Sequence, residues 1–201
     1  MRPRLTKAEI AALAPLRPWT LSFDLGNPGG SCLVRDRATR DDFPILPLMV
    51  AGMRASWNLA DFSDWVREVI FTFRPKIVTA ETAWTGRNDP RPGVGLAQSR
   101  KWGIVQEVVQ EFNAGRPVKM RIRTVTYYAS QIKAGMLNNG HAGKEDVIAW
   151  VERNFHWTLD EHRADAIMIA SFAHLREGKP IPKGERRPQR RGGFRPRRRG
   201  W

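Results

Sequence analysis

"IVTAETAW", residues 77–84, is the stretch whose reading decides the fold. Strand-forming residues from Ile77 to Ala80 run into one carboxylate, Glu81, and a tryptophan, Trp84, stands just beyond it. Helical periodicity flanks the stretch on both sides. Ahead of it, Phe62, Trp65, Val66, Val69, Ile70 and Phe73 recur at three- and four-residue spacing and stop before Pro75, which predicts an amphipathic helix over 61–73. After it, Leu96, Trp102, Ile104, Val105, Val108 and Val109 predict a long helix over 94–112 that turns those residues towards a core. A strand that carries a charge out of its apolar run, between two such helices, is the signature of an α/β layer structure.

The pattern continues in both directions. "WTLSFDLG" (19–26) alternates apolar and polar residues and reads as a strand ending at Asp24, and "SCLVRD" (31–36) is its hairpin partner after the Asn27-Pro28-Gly29-Gly30 turn. "ILPLMV" (45–50) is a further strand weakened by Pro47, and "VKMRIRTV" (118–125) alternates as another. Helices are expected over 127–136, 144–154 and 159–176, the last with Thr158 as N-cap. Thr6 and Glu9 have capping-box spacing for a short helix over 7–13. These elements predict a three-layer α/β domain with a mixed sheet flanked by helices. The expected organisation is an extension over 1–16, one domain over 17–178 and a tail over 179–201. Residues 35–58 receive no role.

Charge separates the tail from the rest. The 201 residues hold 34 Lys and Arg against 20 Asp and Glu, a formal charge of +14. From Lys179 to Trp201 there are ten Lys or Arg and one acid, Glu185, so +9 lies there and +5 elsewhere. An Arg-, Pro- and Gly-rich stretch without apolar period cannot offset its ordering entropy, so disorder is expected. Such a segment, with Arg197, Arg198 and Arg199 near its end, neutralises nucleic-acid phosphates without reading sequence. Cys32 is the sole cysteine, which excludes an intrachain disulfide, and no run reaches the roughly 18 apolar residues of a membrane span. A soluble, cytoplasmic or otherwise intracellular protein is expected, with nucleic acid as its partner and no membrane.

Three acids stand where a sheet can bring them together: Asp24 and Glu81 at strand ends, and Asp165 near the start of the last helix. Taken singly, Asp24 reads as a turn residue and Asp165 as a complement to the helix macrodipole. Gathered in one crevice they would repel each other, a cost that bound cations remove. Phosphodiester hydrolysis uses paired divalent cations held by oxygen ligands. An acidic crevice in a basic protein therefore suggests a metal-dependent nuclease.

These residues resemble the RuvC-type Holliday junction resolvases of the ribonuclease H-like superfamily, over most of the region from about Trp19 to Leu175. "SFDLG" stands where the family has an Asp-Pro-Gly strand end, with Leu25 as the departure, and "VTAETAW" is similar to the second family block. "LAQSRKWGIVQEVV" is similar to the family helix in which a Gln precedes a basic residue, and "ASQIKAGMLNNGHAGKEDV" carries Lys133 and Lys144 at the family's eleven-residue spacing. "EHRADAIMIA" resembles the last block, with His162 and Asp165 in the two ligand places.

The resemblance implies Asp24, Glu81, His162 and Asp165 as catalytic metal ligands for Mg²⁺ or Mn²⁺, two ions per site. His162 would either ligate the second ion or position water. It implies Trp84 as a wedge at the junction centre. Lys133 and Lys144 would contact DNA, with Arg87 and Arg91 of the basic loop and the tail arginines beside them. The expected partners are a four-way junction or other branched DNA and a second copy of the chain, since paired nicks need two sites. The 94–112 helix with Trp102 is the candidate dimer face. The alternatives are a related nuclease acting on RNA-DNA hybrids or other branched DNA, and a non-catalytic nucleic-acid-binding module of the same fold.

Overall fold

A computed structural model describes residues 20–26, 28–36, 45–53, 57–82 and 92–176. The 7–13 helix, Trp84, Arg87, Arg91 and the tail lie outside the described residues, as do the expected extension and tail boundaries.

Five strands form one mixed sheet in the order β3-β2-β1-β4-β5: β1 (Thr20–Asp24), β2 (Gly29–Asp36), β3 (Ile45–Met53), β4 (Ile77–Glu81) and β5 (Arg123–Tyr127). The first three are antiparallel neighbours, while β4 runs parallel to β1 and β5 parallel to β4. Pro47 is tolerated because β3 is an edge strand, and the register slips between Leu33 and Val34 opposite it.

One face is covered by α1 (Leu59–Phe73) and α2 (Pro92–Asn113), which bury Phe62, Val66, Ile70, Val105, Val108 and Phe112 against Leu21, Phe23, Leu33, Val78 and Ala80. The other carries α3 (Ala129–Leu137), α4 (Lys144–Phe155) and α5 (Glu161–Arg176), whose Ile167, Met168 and Ile169 share a core with Cys32, Val34 and Ile45. Period-2 alternation along the strands feeds the two cores separately. The three-layer expectation is met.

Local differences have local causes. The α1 helix begins earlier than its apolar period because Asn58 and Asp61 cap each other reciprocally, at 2.9 and 3.3 Å. "VKMRIRTV" is only half a strand: Pro117 opens a 3₁₀ turn over Val118–Met120, and the strand starts at Arg123. Asn113 bonds both the N–H and the carbonyl of Ile122 at 2.8 Å, fixing where β5 begins. Leu96 is 53% exposed instead of buried. Trp102 packs against the core beneath α2 and is half-buried. The last helix is capped by Asp160, whose Oδ1 accepts the Arg163 N–H at 2.9 Å, rather than by Thr158.

Candidate active site

Strand register puts the first two acids side by side. Phe23 pairs with Ala80 in the parallel β1–β4 ladder, so one step further on Asp24 and Glu81 leave the sheet at neighbouring positions on the same face. That face is the one α5 covers. Ser22, two residues before Asp24, donates its hydroxyl to the Ala166 carbonyl of α5 at 2.6 Å. Gly30, paired with Asp24 across β2, lies so close to the backbone of His162 that any Cβ would strike its carbonyl. Small residues at Ser22, Gly30, Ala164 and Ala166 thus let the first turn of α5 settle onto the ends of β1 and β2. His162 and Asp165, three apart on that helix, are delivered beside Asp24.

The contacts follow from this docking. His162 Nδ1 stands 2.9 Å from Asp24 Oδ2, with the two side chains 24% and 14% exposed. The Glu81 carboxyl is pushed up to about 7, first by desolvation and then by Asp165 and Asp24, while Lys133 works the other way. Glu81 is also solvent-accessible, so it sits in an open crevice where water screens part of this rise and the upward direction is the firm result. Asp165, half-buried, is raised to about 6 by desolvation and by Asp24, against Lys133, His162 and Lys144. Three carboxylates from three elements therefore feel one another. They are neighbours and not a closed cage: among the described residues no three His, Cys, Asp or Glu side chains are grouped closely enough to hold one ion as placed.

The donor set fits a divalent cation. Three carboxylates supply hard oxygens and one imidazole adds a borderline nitrogen, and the Glu81 and Asp165 carboxyls are raised first by desolvation and then by neighbouring acids, a cost that a cation would relieve.

Both lysines singled out by spacing stand near these acids. Lys133 Nζ donates to the Ala142 carbonyl at 2.7 Å, which holds its charge within reach of Glu81 and Asp165. Lys144 Nζ is 2.5 Å from Glu161 Oε2, and Glu161 Oε1 lies 3.4 Å from His162 Nε2. Lys101 was not singled out by sequence. From α2 it reaches over the sheet end and donates to the Gly26 carbonyl at 2.8 Å, bracing the turn that follows Asp24. Its charge also acts on Asp24. A lysine in the middle of an amphipathic helix gives no advance sign of such a reach.

Comparison with known proteins places this arrangement. The family model described as "Crossover junction endodeoxyribonuclease RuvC" matches residues 48–174, a range that includes Glu81, Lys133, Lys144, His162 and Asp165 and begins after Asp24. A crossover junction endodeoxyribonuclease RuvC of Thermus thermophilus is 30% identical over 123 residues, covering 58% of this chain and 68% of the relative. The solved structure of Thermus thermophilus RuvC in complex with Holliday junction substrate superposes with a TM-score of 0.60 at 23% identity, covering 79% of this chain and 95% of that one. The yeast mitochondrial Holliday junction resolvase Ydc2 shares the fold at a TM-score of 0.51 and 11% identity, over 84% of this chain and 86% of its own. No helix among the described residues is long and apolar enough to cross a membrane.

Proposed function

The chain belongs to the RuvC family of crossover junction endodeoxyribonucleases, and we propose that Asp24, Glu81, His162 and Asp165 are the residues with which it cuts. It carries the ribonuclease H-like fold and is a divalent-metal-dependent endonuclease that resolves Holliday junctions. The observation that supports the assignment of residues is that α5 brings His162 Nδ1 to 2.9 Å from Asp24 Oδ2 at the strand ends where Asp24 and Glu81 leave the sheet side by side.

Asp24, Glu81 and Asp165 are the carboxylates that would hold divalent cations such as Mg²⁺ or Mn²⁺, and His162 would complete the donor set or orient water. When bound, such a pair of cations activates the attacking water and stabilises the leaving oxygen. The chain's own residues do the rest. The Ser22–Ala166 bond and the Gly30 contact hold His162 and Asp165 at a fixed distance from β1. Lys101 keeps the Asp24 turn from moving as charge accumulates. Lys133 and Lys144 offer ammonium groups to the phosphates flanking the scissile bond, Lys144 exchanging Glu161 for a phosphate as DNA arrives. Trp84 would stack at the branch point, and Arg87, Arg91 and the tail arginines would contact DNA. Two copies are needed for paired nicks across a two-fold symmetric junction.

One imidazole among three carboxylates makes the site less negative than four carboxylates would, and imidazole suits Mn²⁺ better than Mg²⁺. Activity should therefore be higher with Mn²⁺. A nicking assay on a synthetic four-way junction, a plain duplex and an RNA-DNA hybrid tests the whole reading. Cleavage of the junction alone, lost in Asp24→Asn, is the expected result. Equal cleavage of the hybrid would move the substrate assignment to the related nucleases.

A further inference from the structure

The sheet has a second charged end. At the amino ends of β4 and β5, four strand steps from Glu81 or about 13 Å at about 3.3 Å per residue, the chain turns twice: at Arg74-Pro75-Lys76 and through residues 114–123. Neither turn contains an acid. The two are joined by the Arg123 N–H, which donates to the Lys76 carbonyl at 3.0 Å.

The arginines here are built into the surface. Arg116 Nε donates to the Phe112 carbonyl at 2.6 Å, and its guanidinium lies 4.1 Å over the Phe112 ring. That ring meets Phe71 edge-on at 5.3 Å. Arg121 Nε donates to the Arg116 carbonyl at 2.9 Å, and Arg74 Nε reaches the Phe71 carbonyl at the long limit of 3.5 Å. Each guanidinium is thus held through its inner nitrogen, with Arg74 and Arg121 exposed and Arg116 half-buried, which lowers the entropy lost when they bind. Among the described residues Arg74, Arg116, Lys119 and Arg121 pair with no carboxylate, whereas Arg67, Lys144 and Arg163 all do. Between the cations, Val118 and Met120 stand 79% and 55% exposed on the 3₁₀ turn.

We propose that this surface, formed by Arg74, Arg116, Lys119 and Arg121, is a second nucleic-acid contact face that grips the phosphate backbone of duplex DNA away from the cutting site. Pre-oriented guanidiniums without internal carboxylate partners are complementary to phosphate oxygens, which accept the paired donors. The exposed Val118 and Met120 suit the sugar edge of a groove. The face adds a hold on DNA that neither metals nor the branch point supplies.

The test uses the full chain and a labelled 30-base-pair duplex, with affinity measured across salt concentration. Lys119→Gln with Arg121→Gln should make the slope of log affinity against log salt shallower by about 1.8, since each phosphate contact contributes roughly 0.9. A charge-matched control, Arg67→Gln with Arg153→Gln, should leave the slope near its original value. Lys119→Glu alone, at a side chain that makes no hydrogen bond among the described residues, guards against misfolding and should weaken duplex binding at low salt. Junction nicking at saturating substrate should be unchanged in all three. An unaltered slope in the first variant, or an equal loss in the control, overturns the proposal and leaves this face to another class of partner.

Discussion

The two ends of the sheet carry opposite charge by different means. At the carboxyl end, three acids converge from β1, β4 and α5, and the fold forces them together against their repulsion. At the amino end, three arginines from two turns, Arg74, Arg116 and Arg121, are fastened to main-chain carbonyls and pair with no carboxylate among the described residues. The first end is costly without a cation; the second is comfortable in water and becomes useful only when an anion arrives. Like-charge crowding is tolerated where chemistry needs it, and tethering is used where binding needs it.

The comparison breaks most visibly at Asp24. Asp24→Asn should cut junction nicking by more than about 100-fold, since it removes a ligand and not merely its supporting shell. The same variant should bind junction DNA at least as tightly as the parent in a metal-free gel-shift, because a negative charge near phosphate is gone. Weaker binding would mean that the acidic end holds DNA and that the two ends are not separate in function. Next in size is metal choice. His162→Asp should raise the Mg²⁺ rate relative to the Mn²⁺ rate several-fold, by restoring an all-oxygen donor set; an unchanged ratio would remove His162 from the ligands.

Stability sharpens the contrast further. Gly30→Ala drives a methyl group into the His162 carbonyl and should cost about 1–3 kcal/mol, read as a lower melting temperature with nicking lost in parallel. The smallest effect concerns pH. Both Glu81 and Asp165 hold protons more tightly when folded than an ordinary carboxyl does, to about 7 and about 6. Their contribution to stability is therefore full below about pH 4 and is lost as pH rises through those values. The metal-free protein should melt lower at pH 8 than at pH 5, and Glu81→Gln should recover about 2 °C at pH 8, a modest gain because Glu81 is partly screened by water. Added Mn²⁺ should raise the melting temperature of the parent more at pH 8 than at pH 5.

Much of this architecture is legible in the residues themselves. Alternation places Asp24 and Glu81 at strand ends, and three-residue spacing puts His162 and Asp165 on one side of a helix. Parallel pairing of β1 with β4 then makes the convergence a matter of register. What stays hidden depends on contacts between distant segments. Thr158 has cap chemistry, but Asp160 sits where the helix starts once α5 has docked. The run from Val118 alternates like a strand, yet Asn113, reaching from the end of α2, delays pairing until Arg123. Lys101 and the tethered arginines look like ordinary solvated charge until the carbonyls they hold are placed beside them.

The hydroxyl of Ser22 and the carbonyl it meets at Ala166 are 144 residues apart along the chain. His162 and Asp165 therefore wait until almost the whole domain has been synthesised and α5 has closed upon the first strand. A nascent chain still lacking that helix would hold Asp24 and Glu81 without His162 and Asp165. Cutting ability would then appear late and all at once, so that half-made copies pose no hazard to the genome around them.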